Sequence, residues 1–187
     1  VVRVRSAPGR ERLAFGNGRG QRTRAPPFAL TFARRRTTSR IRIARVLSVK
    51  SYSREYIDAC RARLDSQLAA YRAVASNRTT TTAVDEAFDV AFFNNLVLTL
   101  EGYFLHRMRG QEKKNGNPLN EVRVLAASMT TADDIMTSDP TINLDPAKSI
   151  LGYAVGDRIA LDEKQFVALA DAFFAEIETK FGPQLAP

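Results

Sequence analysis

The chain has 187 residues, of which 44% are hydrophobic, enough for one domain with a sizeable core. One cysteine excludes an intramolecular disulfide framework, and one histidine excludes the common catalytic zinc sites, which need two or more His or several His and Cys. The formal charge of +8 suggests nucleic-acid binding only until it is split by position: residues 1–50 hold 14 Lys/Arg against one acid, a net +13, and residues 51–187 hold 14 Lys/Arg against 19 acids, a net −5.

Residues 1–50 read as a disordered basic leader. They are rich in Arg, Gly and Pro and show no apolar period of 3.6 or 2, so charge repulsion and a lack of apolar surface argue against a fold. The longest uncharged run, residues 25–33, contains two prolines and is too short for a signal-peptide core. Three readings compete. The leader resembles an organelle transit peptide; its "GNGRG" and "ARRRTTSR" could hold phosphates as basic arms do; or it is translated upstream sequence, with a start near Val46 or Val49 opening the domain. "GNGRG" is not a nucleotide loop, because no buried strand precedes it and "RTRAPP" cannot form the helix that must follow. Nucleic acid is expected to bind through this leader if at all.

A helical pattern begins at Ser51. Ile57, Cys60, Leu64, Leu68, Tyr71 and Ala75 recur at the steps of three and four that mark one helix face. Ser53 is a suitable N-cap, and "SNRTTTT" ends the helix after Ala75. Cys60, on the apolar stripe, reads as a core thiol. Thr82 with Asp85 three residues on has the form of a capping box and opens a long helix predicted over residues 83–109. Phe88, Val90, Phe92, Phe93, Leu96 and their neighbours make it apolar on most sides, which predicts a buried central helix. Asn94, Asn95, Thr99 and Glu101 interrupt it too often for a membrane span of about 20 apolar residues. Truncation of Phe92 or Leu96 to Ala is expected to cost about 2–5 kcal/mol each.

Asn117 caps a third helix with Pro118 at its first position, and Leu119, Val122, Ala126 and Met129 mark its inner face. In the turn-rich segment that follows, residues 141–144 and 158–161 read as short extended pieces paired as a ribbon, with a helical turn at Asp145-Pro146 between them. Asp162 with Gln165 opens a last helix, lined by Phe166, Leu169, Phe173, Ile177 and Phe181 and stopped by Gly182-Pro183. The expected fold is all-α: roughly a four-helix bundle over residues 51–187, with a long buried central helix and a small two-stranded β-ribbon.

Residues 101–123, "EGYFLHRMRGQEKKNGNPLNEVR", hold the histidine, clustered basic residues and two Gly/Asn turn signals. At 100° per residue, Asn95, Thr99, Gly102, His106 and Arg109 fall on one stripe of the predicted long helix. Aromatic burial then grades into polar groups, as at a pocket mouth. The competing reading is a helix emerging into water, with His106, Arg107 and Arg109 favourably placed at its C-terminal dipole. Glu101 and Asn94, seven residues apart, lie about 100° round from this stripe. The loop "GQEKKNGNP" supplies an anion reading: Lys113 and Lys114 precede the Asn117 helix start, whose free N–H groups attract negative charge, and Arg107, Arg109 and Arg123 are near enough to converge on it. Glu112 and Glu121 in the same stretch count against it. The candidate ligand-binding residues are therefore Asn95, Thr99, His106, Arg109, Lys113, Lys114 and Asn117.

His106 as a general base needs a partner from another helix, for which Glu121 and Asp171 are the candidates, because Glu101 five residues before it diverges round the helix. The chain lacks the paired Glu-x-x-His of di-iron bundles, the EF-hand spacing in "TADDIM" and "SDPTINLD", and any G-x-S-x-G elbow, so no metal or cofactor is expected. Together these readings predict a soluble, cytoplasmic, non-catalytic binding or interaction domain whose ligand is a small anionic metabolite, with no membrane insertion. Eleven Phe and five Tyr would leave aromatic surface to cover, which predicts a homodimer. The alternatives are a small metal-independent enzyme using His106 and a nucleic-acid-associated protein acting through its leader.

Overall fold

A computed structural model describes residues 48–183, so the leader readings for residues 1–47 lie outside the described residues. Among the described residues the architecture is four long helices and one short one: α1 Arg54–Ala75, α2 Ala83–Tyr103, α3 Arg109–Glu112, α4 Pro118–Thr131 and α5 Glu163–Phe181. The caps fall where local chemistry put them. The Ser53 hydroxyl accepts from the Tyr56 N–H at 3.2 Å. Thr82 with Asp85 and Asp162 with Gln165 form reciprocal capping boxes, and Asn117 accepts from the N–H groups of Leu119 and Asn120.

α2, α4 and α5 pack on one another, with α1 and α3 against α5. α1 and α5 bury most of the face that their spacing predicted: Ile57, Cys60, Leu64 and Leu68 from α1, with Tyr71 and Ala75 half-buried, and Phe166, Leu169, Phe173, Ile177 and Phe181 from α5. The centre is aromatic. Phe104 meets Phe173 and Phe174 with ring centroids 5.7 and 6.0 Å apart, and Tyr52 stands edge-on to Phe104 at 4.9 Å. No described helix is long and apolar enough to cross a membrane.

Three expectations need correction. The long helix ends at Tyr103, six residues before Arg109. Arg107 folds back, donating through Nη1 to the Phe104 carbonyl at 3.1 Å, and residues 106–108 pair with Val49 on both sides: Val49 N–H to the His106 carbonyl, Met108 N–H to the Val49 carbonyl. Carbonyls satisfied by a distant segment and a buried arginine end a helix that periodicity alone would continue.

Nor is α2 buried on all sides. Its first turns carry Val84 at 78% and Phe88 at 50% exposed, while the polar Asn94 and Glu101 are buried at 6% and 7%. The third correction concerns the ribbon, which does not form. Arg158 makes an isolated antiparallel bridge with Ile135, not with residues 141–144. The Ile142 N–H instead turns back to the Asp139 carbonyl, and the Asn143 N–H reaches the Lys114 carbonyl. Several short apolar pieces have equal strand propensity, and tertiary packing chooses between them. Asn143 sits so close to the α3–α4 turn that a Cβ at Gly116, whose φ is +75°, would lie 2.4 Å from its carbonyl oxygen.

Candidate functional site

Arg107, Arg109 and Arg123 do converge on an anion, and the anion is the chain's own Glu112. This carboxylate is wholly buried at the end of α3. Arg123 grips it with two hydrogen bonds, Nε to Oε1 at 3.1 Å and Nη2 to Oε2 at 2.8 Å. Arg107 Nη2 donates to Oε1 at 3.2 Å, Asn120 Nδ2 donates to the same oxygen at 3.0 Å, and Arg109 Nη1 stands 3.9 Å from Oε2. The Glu112 that counted against an anion site in the sequence is its occupant.

Glu101 completes the network. It accepts from Arg107 Nη1 through Oε2 at 2.7 Å, and its Oε1 lies 3.1 Å from Arg123 Nη1. That second contact is off the hydrogen-bond line, so Oε1 receives no hydrogen bond, and Arg107 Nε likewise has no partner. Two carboxylates and two guanidiniums balance in charge, yet they differ in setting. Burial opposes ionisation of Glu112, but the Arg123 hydrogen bonds and the arginine charges outweigh it and hold its carboxyl below the ordinary range. At Glu101 burial prevails over Arg107 and Arg123, and its carboxyl is pushed up.

The expected site residues are dispersed. Asn95 and Thr99 spend their side chains inside α2, Asn95 Nδ2 donating to the Ala91 carbonyl at 2.7 Å and Thr99 Oγ1 to the Asn95 carbonyl at 2.9 Å. With the helix ending at Tyr103, His106 and Arg109 leave that stripe. Arg109, Lys113, Lys114 and Asn117 do share the α3–α4 turn, but the helix start is already served. Asn117 Oδ1 takes the Leu119 and Asn120 N–H groups, its carbonyl takes that of Glu121, and Asn120 Oδ1 takes that of Gly116. Of the two proposed partners of His106, Glu121 is buried and accepts from the N–H groups of Ile150 and Leu151 at 2.7 and 2.8 Å, and Asp171 lies on α5 with Arg61 at 4.0 Å. Among the described residues no three of His, Cys, Asp and Glu gather as a metal site would require.

His106 is exposed, and its backbone carbonyl, not its ring, serves the Val49 N–H. His106→Ala is therefore expected to lower stability by under about 1 kcal/mol in urea unfolding; a larger loss would show that the ring holds the 104–108 turn.

Among the described residues three depressions border α2, and two of them meet its buried polar side chains. One, of about 540 Å³, is edged by Glu86, Asn95, Asp134 and Arg158. Its buried amide, Asn94, is satisfied by the Ile159 carbonyl and the Leu161 N–H. The other, of about 390 Å³, runs between α2 and α4. Leu98, Leu105, Ala126 and Ala127 give it an apolar wall, and Glu101 and Arg123 form its polar end. None of the seven expected site residues lines it. The signal for it was Glu101 on the inward side of an apolar helix, where a polar side chain needs a stated partner. No family model, curated protein or solved structure matches this chain.

Proposed function

We propose that the helical domain is a non-catalytic module that binds a small, largely apolar molecule in the groove between α2 and α4. The observation that carries this reading is the setting of Arg123. Its Nε and Nη2 are fixed on Glu112, and its Nη1 stands beside the under-bonded Glu101 at the polar end of an apolar groove. Small-molecule sites combine an apolar wall with a few fixed polar groups in this way, at volumes of about 300–1,000 Å³. Gly102 supports it further: a Cβ there would meet nothing within 4 Å, so α2 leaves the groove open at that point. The homodimer has its support in Val84 and Phe88, exposed one helical turn apart on α2.

The test is a fragment screen on the full chain by amide NMR, repeated with Gly102→Leu. This change fills the groove and exchanges a Gly in the last turn of α2 for a better helix former. Hits should shift the Gly102, Ala126, Ala127 and Thr130 amides and vanish in the variant. Hits that cluster elsewhere, or that survive Gly102→Leu, would refute the reading.

A further inference from the structure

The groove's polar end has a specific unmet demand. Glu101 is more than nine-tenths buried and lines the groove, and its Oε1 accepts no hydrogen bond. Arg123 Nη1 stands 3.1 Å from that oxygen without bonding it. The two form an ion pair without a hydrogen bond between them, so an acceptor and a donor lie side by side, near enough for the nitrogen and oxygen of one planar group to serve both. We propose that the groove takes a neutral carboxamide head, its N–H donating to Glu101 Oε1 and its carbonyl accepting from Arg123 Nη1, with an aliphatic tail along Leu98, Leu105 and Ala126. The inference rests on the groove being the binding site and adds the chemical class of its ligand.

Charge decides against the other heads. From α2 comes Glu101, from the turn after it Arg107, from α3 Glu112 and from α4 Arg123, and these four sum to zero. Arg109 at 3.9 Å from Glu112 is itself faced by Asp139 at 3.9 Å. A carboxylate head would stand against Glu101 and an ammonium head against Arg123, and each would bring an unbalanced charge into a largely dehydrated site. Glu101 Oε1 is closed to bulk water, so the head reaches it only by drawing the carboxylate slightly towards the groove. A bond made there replaces no bond to solvent.

Octanamide, octanoate and octylamine share one tail and differ in head, and titrating each into the full chain at neutral pH by calorimetry and amide NMR tests the assignment. Octanamide should bind at least about tenfold more tightly than the other two, because a buried unpaired charge costs more than the tenfold equivalent of binding energy. In Glu101→Gln the side chain can donate as well as accept and one negative charge is gone, so octanoate should rise to match or exceed octanamide. Gly102→Leu should abolish binding of all three. Octanoate or octylamine binding wild type as tightly as octanamide would overturn the neutral-head assignment and leave the groove reading standing. No groove shifts with any of the three would overturn it too; the fragment screen, by finding other groove ligands or none, then decides the groove reading separately. An unchanged head preference in a folded Glu101→Gln protein would remove Glu101 from the site.

Discussion

Glu112→Gln lowers the unfolding free energy by about 3–5 kcal/mol, whereas the same substitution at Glu101 changes it by less than about 1 kcal/mol. The two carboxylates are buried in one network and share Arg107 and Arg123, so a count of salt bridges would give them equal weight. Their settings separate them. Glu112 receives hydrogen bonds from Arg107, Asn120 and, twice, Arg123, and an amide in its place leaves charged donors buried without an anion. Glu101 keeps its Arg107 bond through an amide oxygen, and burial already disfavours its charge.

The pH dependence follows with opposite signs. Glu112 is held below its ordinary pKa, so the stability that it contributes is present above that ordinary value and is lost as pH falls through the folded one. Glu101 is pushed up, so the folded state binds its proton more readily than the unfolded chain, and stability declines as pH rises from the ordinary carboxyl value through the raised one. Urea unfolding of wild type and both variants from pH 4 to 7 checks this. Glu101→Gln should remove the decline, and equal losses for the two variants at pH 7 would show that the network acts as one unit.

Phe104→Ala costs about 3–5 kcal/mol and Phe88→Ala under about 1 kcal/mol, although the sequence presents both as apolar positions of one helical run. Phe104 is fully buried where the end of α2 meets α1, α5 and the segment before α1, against Tyr52, Tyr56, Phe173 and Phe174. Truncating it leaves a cavity that fixed aromatic rings cannot collapse to fill. Phe88 lies at the exposed start of α2, in loose stacking with Phe92 at 6.0 Å. The same contrast revises the expectation for Phe92 and Leu96. Leu96, 3% exposed, keeps its predicted cost, while the half-buried Phe92, between Tyr71 and Phe88, falls below it. Thermal unfolding of the four alanine variants ranks them: Phe104 and Leu96 well below wild type, Phe92 between, Phe88 near wild type. A Phe88 variant as destabilised as Phe104 would place the first turns of α2 against a surface absent from the packing described.

What the sequence determined by itself is what acts within a few residues. Ser53, Thr82, Asn117 and Asp162 set the helix starts because a cap needs only its own next three N–H groups. The apolar stripes of α1 and α5 set their buried faces because a face is a matter of spacing. Tertiary structure alone decided where α2 stops, since that depends on Val49, over fifty residues away, and on an arginine turned inward. It also decided that Arg158 meets Ile135, not residues 141–144, and that Arg107, Arg109 and Arg123 close on Glu112 and not on the Asn117 helix start. A buried charge is stable only beside its partners, and those partners come from α2, α3 and α4 together. No local pattern could show that Glu101, passed over as lying off the polar stripe, is the one carboxylate in that set left with a bond to make.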